Sequence, residues 1–223
     1  MENIKHSSSR SYGQFCGLAR ALDVVGDRWN LLIVRELLPG PLRYNELKTS
    51  LAGIATNLLA ERLRSLEGNG IVERQLGDAG VLYALTPWGA GLREPMEALG
   101  RWGAPLLMTG RGGDSFQPRW LALALPALLR DVTAAPALEL GFEVEGFLIV
   151  LHIDEHGPRA LVQPDGWPGT ILTAAPEIVI GLAAGALTID QALSAGRLQG
   201  DAEVLRRVFP AERATAMPAL DPR

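Results

Sequence analysis

The stretch GIATNLLAERLRSLEGNGIVER, residues 53–74, decides how the first half of the chain is read. Leu59, Leu63 and Leu66 stand at i, i+4 and i+7, so in a helix they share one face. Burying each is worth roughly 1.5–3 kcal/mol, against tenths of a kcal/mol per residue from helix propensity. Burial therefore chooses the inward side. Thr56, Asn57, Ala60, Glu61, Arg62 and Arg64 are left for the polar side. Gly68-Asn69-Gly70 ends the helix and passes the chain to a strand, IVERQL. A helix start with small and amide side chains turned outward fits a DNA major groove, where Asn can pair bidentately with adenine. Arg62 and Arg64 could reach phosphates or guanine edges. The same face also fits an ordinary solvated helix.

The neighbouring segments supply the context. QFCGLARALDVVGD places Phe15, Leu18, Leu22 and Val25 at helical spacing. DRWNLLIVRELLPG reads as a second helix, N-capped by Asp27 and stopped at Pro39-Gly40, with Trp29, Leu32, Ile33 and Leu37 inward. RYNELKTSL is a shorter third, carrying Leu47 and Leu51. After the fourth helix, IVERQL and VLYALT are strands joined by the turn GDAG. Thr86 then caps a helix with Pro87 at its first position. Leu92, Met96, Leu99, Trp102 and Leu106 form its apolar stripe, and Pro95 should kink or divide it. Helices followed by a two-stranded ribbon is the order of a winged helix-turn-helix. Arg43, before the recognition helix, and Arg74, at the wing base, could contact the flanking DNA backbone.

At TGRGGDSFQP the pattern changes, and residues 109–117 read as a linker. RWLALALPALLRDV is a helix, and LELGFEVEG alternates cleanly, with Leu138, Leu140, Phe142 and Val144 against Glu139, Glu143 and Glu145. FLIVLHID, RALVQ and TILTA continue as strands. Helices return at Pro176, at the capping-box pattern of Thr188 and Gln191, and through Val204, Leu205, Val208 and Phe209. The expected domains are a flexible arm, 1–14; a mainly α winged helix-turn-helix domain, 15–108; a small α+β domain, 118–210; and a loose tail, 211–223.

Residues 1–111 hold 13 Lys and Arg against 11 Asp and Glu, whereas residues 112–223 hold 8 against 14. A polyanion would meet the first half. No run of about 18 apolar residues could span a membrane, and MENIKHSSSRSYGQ lacks a secretion signal's apolar stretch. A cytoplasmic protein is expected. One cysteine, Cys16, gives no disulfide framework. HIDEHG, with His152, Asp154, Glu155 and His156, reads as a strand end and turn rather than a metal pair. Neither a GxSxG nucleophile elbow nor a GxGxxG or phosphate loop is present. No catalysis, metal or cofactor is expected.

Residues 15–105 closely resemble the HxlR family of bacterial winged-helix regulators. The resemblance rests on Cys16 before the first helix, GDRW at 26–29, RYNEL at 43–47, RLRSLE at 62–67 and YALTPWG at 83–89. It implies a homodimer on double-stranded DNA at a pseudo-palindromic operator. Dimerisation would use the N-terminal segment, with Phe15 and Leu18, and the stripe Leu92, Met96, Leu99, Trp102 and Leu106. Ala55 and Ala60 stand where relatives often carry hydroxyls, and the wing turn has Asp78 but no base. Some relatives use the cysteine as a redox sensor, which needs a lowered thiol pKa near positive charge such as Arg20; a small residue packing the dimer seam is the alternative. Residues 118–210 resemble the sterol-carrier-protein fold, through PEIVIGLAAGALTIDQALSAGRLQGDAEVLRRVF. That resemblance implies a lipid or other apolar effector, walled by Leu138, Leu140, Phe142, Val144, Phe147, Ile149, Leu151 and Ile153, unless these side chains simply fill a core.

Overall fold

In the computed structural model, which describes residues 11–77, 80–164 and 166–209, Leu59, Leu63 and Leu66 are each at most 1% exposed. They belong to α4, Thr56–Gly68. The chain divides into two units, Met1–Met96 and Glu97–Arg223. The central residues of the wing turn, Asp78 and Ala79, lie outside the described residues, as do His6, most of the expected arm and the tail.

The first unit opens with α1, Gly17–Val25, which buries Ala19, Val24 and Val25. α2, Asn30–Leu37, buries Ile33, Val34 and Leu37. Asp27 is not its cap. The N-cap position falls to Trp29, in the left-handed region at φ 83°, a conformation that costs a bulky residue of order 1–3 kcal/mol. Leu32, expected inward, is 40% exposed, because the buried arc of α2 runs through Ile33, Val34 and Leu37 and leaves Leu32 on its flank. α3, Tyr44–Ser50, buries Leu47. After α4, β1 (Val72–Gly77) and β2 (Gly80–Leu85) pair antiparallel from Val72↔Leu85 to Gly77↔Gly80. Leu42 adds a single bridge to Tyr83, a third rung of the wing that pattern alone does not show.

Thr86 caps α5, Pro87–Ala90, by accepting the Gly89 N–H. A Cβ on Gly89 would stand 2.1 Å from the Ile71 carbonyl oxygen, so only glycine permits this approach of helix to strand. α6, Arg93–Gly103, follows as a separate helix. The break comes at Gly91-Leu92, ahead of Pro95, which sits in the first turn of α6, where a missing N–H costs nothing. The boundary between the units falls inside α6.

In the second unit, 3-10 turns at Ala104–Thr109 and Pro118–Trp120 precede α7, Leu121–Leu128. β3 (Leu138–Val144), β4 (Phe147–Asp154), β5 (Gly157–Val162), β6 (Ile171–Thr173) and β7 (Arg197–Gln199) form one mixed sheet in the order β5-β4-β3-β6-β7. Only the β3–β6 pairing is parallel. β7 was not expected. α8 (Pro176–Ala183), α9 (Ile189–Ala195) and α10 (Ala202–Val208) complete the helical layer. Thr188 and Gln191 form the capping box of α9. The core joins one face of the sheet to α7, α8, α9 and α10 through residues such as Leu125, Phe142, Leu151, Val179, Ala192 and Leu205. Among the described residues no helix is long and apolar enough to cross a membrane.

Candidate nucleic-acid interface

Thr56, Asn57, Glu61 and Arg64 are exposed on α4 and Ala60 is half-buried. At 3.6 residues per turn, Asn57 and Glu61 lie opposite the three leucines. Arg62 does not join them. It flanks the leucine stripe, 18% exposed in its side chain, with a terminal guanidinium nitrogen (Nη1) 2.7 Å from the Asp27 carboxylate and 3.5 Å from that of Glu61. A phosphate contact from Arg62 would first have to break the bridge to Asp27. The helix start is held from α3: the Tyr44 hydroxyl donates to the Thr56 carbonyl at 2.6 Å, and the Lys48 ammonium donates to the Ile54 carbonyl. Ala55 is the N-cap and offers no side-chain acceptor, and Thr56 is already helical. The Asn57 side-chain oxygen takes the Leu58 N–H at 3.0 Å, meeting one of the first-turn donors that a cap would satisfy.

The other basic candidates differ in freedom. Arg74 is bound to Glu67 at 2.8 Å and lies 5.7 Å over the Tyr83 ring. Arg43 is exposed and stands at the N-cap position of α3, its backbone N–H donating to Glu46 at 2.6 Å. The Arg64 side chain donates to its own helix, to the Ala60 carbonyl at 3.2 Å. Among the described residues, Arg43 and Arg64 are therefore the candidate cations without a carboxylate partner.

Of the apolar candidates in and just before α1, Val25 is buried and the others are outside. Phe15 is fully exposed, Leu18 is 70% exposed and Leu22 40%. A groove of about 370 Å³ runs beside them, lined by Ala21, Val24, Ile71, Trp88 and Leu92. Met96 is buried, whereas Leu99, Trp102 and Leu106 are exposed. Cys16 is exposed at the N-cap position of α1. The Ala19 N–H, then that of Leu18, favours the thiolate and lowers the thiol pKa, although neither makes a full capping hydrogen bond with it. Arg20 is not the cause: its guanidinium is engaged by Ser11 at 3.3 Å and Asp23 at 3.6 Å.

In the second unit Leu140, Phe142, Val144, Ile149, Leu151 and Ile153 are fully buried and Leu138 nearly so. They are packed together in the core. Phe147 is not with them. It is 43% exposed at the first position of β4, next to the turn that joins β3 to β4. HIDEHG is the end of β4 and the turn into β5. His152 lies 3.5 Å from Glu139 and 3.7 Å from Asp154. The His156 N–H, assisted by Arg159, holds the Asp154 carboxyl below its usual range against some desolvation. Among the described residues no three His, Cys, Asp or Glu side chains are grouped to hold a metal ion.

Residues 24–110 match the HxlR-like helix-turn-helix family. The transcriptional regulator YodB of Bacillus subtilis is 39% identical over 85 residues, which are 37% of this chain and 76% of YodB. This chain belongs to the HxlR family. The HxlR match makes it a DNA-binding transcriptional regulator rather than an enzyme. Other relatives include YkvN of Bacillus subtilis, 33% identical over 40% of this chain and 77% of its own length. YtfH of Escherichia coli is 31% identical over 41% and 75%. Among solved structures, quinone-bound YodB is 38% identical over 39% of this chain and 93% of its own, with a TM-score of 0.36. Reduced YodB is 35% identical over 44% and 99%, with a TM-score of 0.38.

Proposed function

We propose that this HxlR regulator binds a pseudo-palindromic operator as a homodimer, with α4 of each protomer in a major groove. The observation that carries the reading is the outward face of α4, where Asn57, Glu61 and Arg64 stand exposed opposite a fully buried leucine stripe. Asn57 pairs with adenine and Arg64 with guanine or phosphate, while Arg43 contacts the flanking backbone. Thr56 and Ala60 lie close to base methyl groups. Arg74, engaged by Glu67, adds little. The exposed Phe15, just before α1, and Leu18 of α1, with Leu92, Leu99, Trp102 and Leu106 in and around α6, supply the dimer surface; Met96, buried within the protomer, does not. Two recognition helices would then meet half-sites about one DNA turn apart.

Fluorescence anisotropy of the full chain on duplexes tiling its own upstream region tests this. A tight, salt-dependent site is expected. Arg64→Ala should flatten the log–log salt slope by about 0.9 per protomer, and Arg74→Ala should change it much less. Equal slopes for Arg64→Ala and the wild type would remove Arg64 from the phosphate contacts.

Two routes of control are open to experiment. In the first, an apolar effector enters between the sheet and helices of the second unit, and its preference for one dimer geometry reaches α4 through residues 109–117. A ligand shifts such an equilibrium only by its differential affinity for the two states. Because the wall is packed, this route requires the helices to part from β3 and β4. The second route is favoured by the exposed Cys16 thiol with its lowered pKa, and a quinone-bound relative suggests the electrophile class. A thiol with depressed pKa is more ionised than free cysteine near neutrality and loses that advantage as pH rises through the ordinary thiol range. Cys16 should therefore react with iodoacetamide at a rate that falls off only at lower pH than for a free thiol. A pH–rate profile coinciding with that of free cysteine would remove the electrostatic basis for sensing.

A further inference from the structure

The loop between α1 and α2 does something that neither the helix pattern nor the outward face of α4 explains. Gly26 to Trp29 is bent sharply enough to leave Trp29 in the left-handed region, at φ 83°. The bend sends two side chains toward α4 from different points. The Trp29 ring reaches the turn before α4, 4.0 Å from where a Cβ on Gly53 would stand. The Asp27 carboxylate reaches the second turn of α4 and meets Arg62 at 2.7 Å, a contact between residues 35 positions apart.

Beyond this bridge, Arg62 has a longer contact of 3.5 Å to Glu61 on its own helix. The Arg62 side chain is mostly buried, and its Nε is buried without a hydrogen-bond partner among the described residues. Breaking the bridge would leave a guanidinium half-sunk in the flank of the leucine stripe. The pair thus ties the middle of α4 to the α1–α2 loop, while Tyr44 and Lys48 of α3 hold its start. Burial of the three leucines fixes which side of the helix faces the core. The directional ion pair on the flank adds a fixed point that sets the finer rotation of the helix about its axis. Rotation matters because Asn57, Glu61 and Arg64 must meet base edges within hydrogen-bond distance.

We propose that Asp27 is a positioning residue of the DNA-reading face: through Arg62 it sets the rotation of α4, and so the base specificity of the protein, without touching DNA. The inference rests on the reading of α4 as the recognition helix. It also makes a counter-intuitive statement about charge. Asp27 is a half-exposed carboxylate on a surface that meets a polyanion, so its neutralisation should strengthen sequence-blind binding even as it damages operator binding.

The test compares wild type, Asp27→Asn, Asp27→Glu and Arg62→Met as full-length proteins, on operator and on scrambled duplex, with thermal midpoints recorded. Asp27→Asn should lose about tenfold in operator affinity, the scale of one misaimed base contact, while its affinity for scrambled DNA holds or rises. Arg62→Met should show the same loss of the operator-to-scrambled ratio, and Asp27→Glu, which keeps a carboxylate in reach, should retain it. An Asp27→Asn protein whose ratio equals that of wild type overturns the proposal, whether both affinities fall together through unfolding or rise together through relief of repulsion. Amide exchange in the free protein separates this outcome from failure of the recognition-helix reading itself. Exchange across residues 57–64 should quicken in Asp27→Asn and not in Asp27→Glu, even if no operator is found. Unchanged exchange there would also overturn the bridge as the element that holds α4.

Discussion

Leu63→Ala should cost about 2–5 kcal/mol, the usual range for a buried leucine cut to alanine, and should abolish operator binding wherever that loss unfolds the first unit. Leu63 is 1% exposed, mid-helix, with Leu59 and Leu66 beside it on the same face. A typical domain is stable by only about 5–15 kcal/mol, so one truncation here consumes much of the margin. The effect should be confined to one unit. Amide protection across residues 56–68 should fall, while that of β3 and β4 is retained. Denaturant unfolding followed by both probes would check it. A loss under about 0.5 kcal/mol, the scale of an ordinary surface change, would mean that α4 is not anchored by its leucines.

The same residue shows what was legible beforehand and why. A stripe at i, i+4 and i+7 reports burial because it depends only on residues within one helix, and α4 follows it from Thr56 to Gly68. Caps are equally local, so Thr86 and the pair Thr188 and Gln191 could be read directly. Asp27 shows the limit. An acidic residue before an apolar run is a fair cap signal, yet its carboxylate is taken by Arg62, far along the chain, and Trp29 assumes the cap position in a strained backbone. Nothing in local spacing reports such a partner.

Other elements were illegible for related reasons. β7 has three residues and is defined by pairing with β6, not by alternation of its own. Leu42 joins the wing through one bridge. Phe147 continues the alternation of β4 but opens the strand beside the turn from β3 and is left exposed there, so parity was right and burial was not. In the candidate interface, the outward residues Asn57, Glu61 and Arg64 followed from helix geometry alone. Which cations remain unengaged did not follow, because the Arg62 and Arg74 bridges are tertiary contacts.

The second large effect is expected at Phe142, and it separates two views of the α+β unit. Phe142 is fully buried on β3 and meets Phe209 edge-to-face, the centroids 6.3 Å apart. If its ring fills a core, Phe142→Ala should destabilise the unit by about 3–5 kcal/mol, combining lost transfer energy with the cavity left behind. If the ring instead lines a space that an apolar effector occupies, its loss enlarges that space without uncoupling the helices. The cost should then stay near 1 kcal/mol in ligand-free protein. The packing of Leu140, Val144, Ile149, Leu151 and Ile153 around it favours the larger figure. A benzene-sized apolar compound gives the complementary reading, since a dry engineered cavity can bind one. Stabilisation by such a compound should appear in Phe142→Ala and grow as the logarithm of its concentration above the dissociation constant. Stabilisation of the wild type at the same concentrations would show that the unit opens without mutation, which the effector route requires and a closed core does not allow.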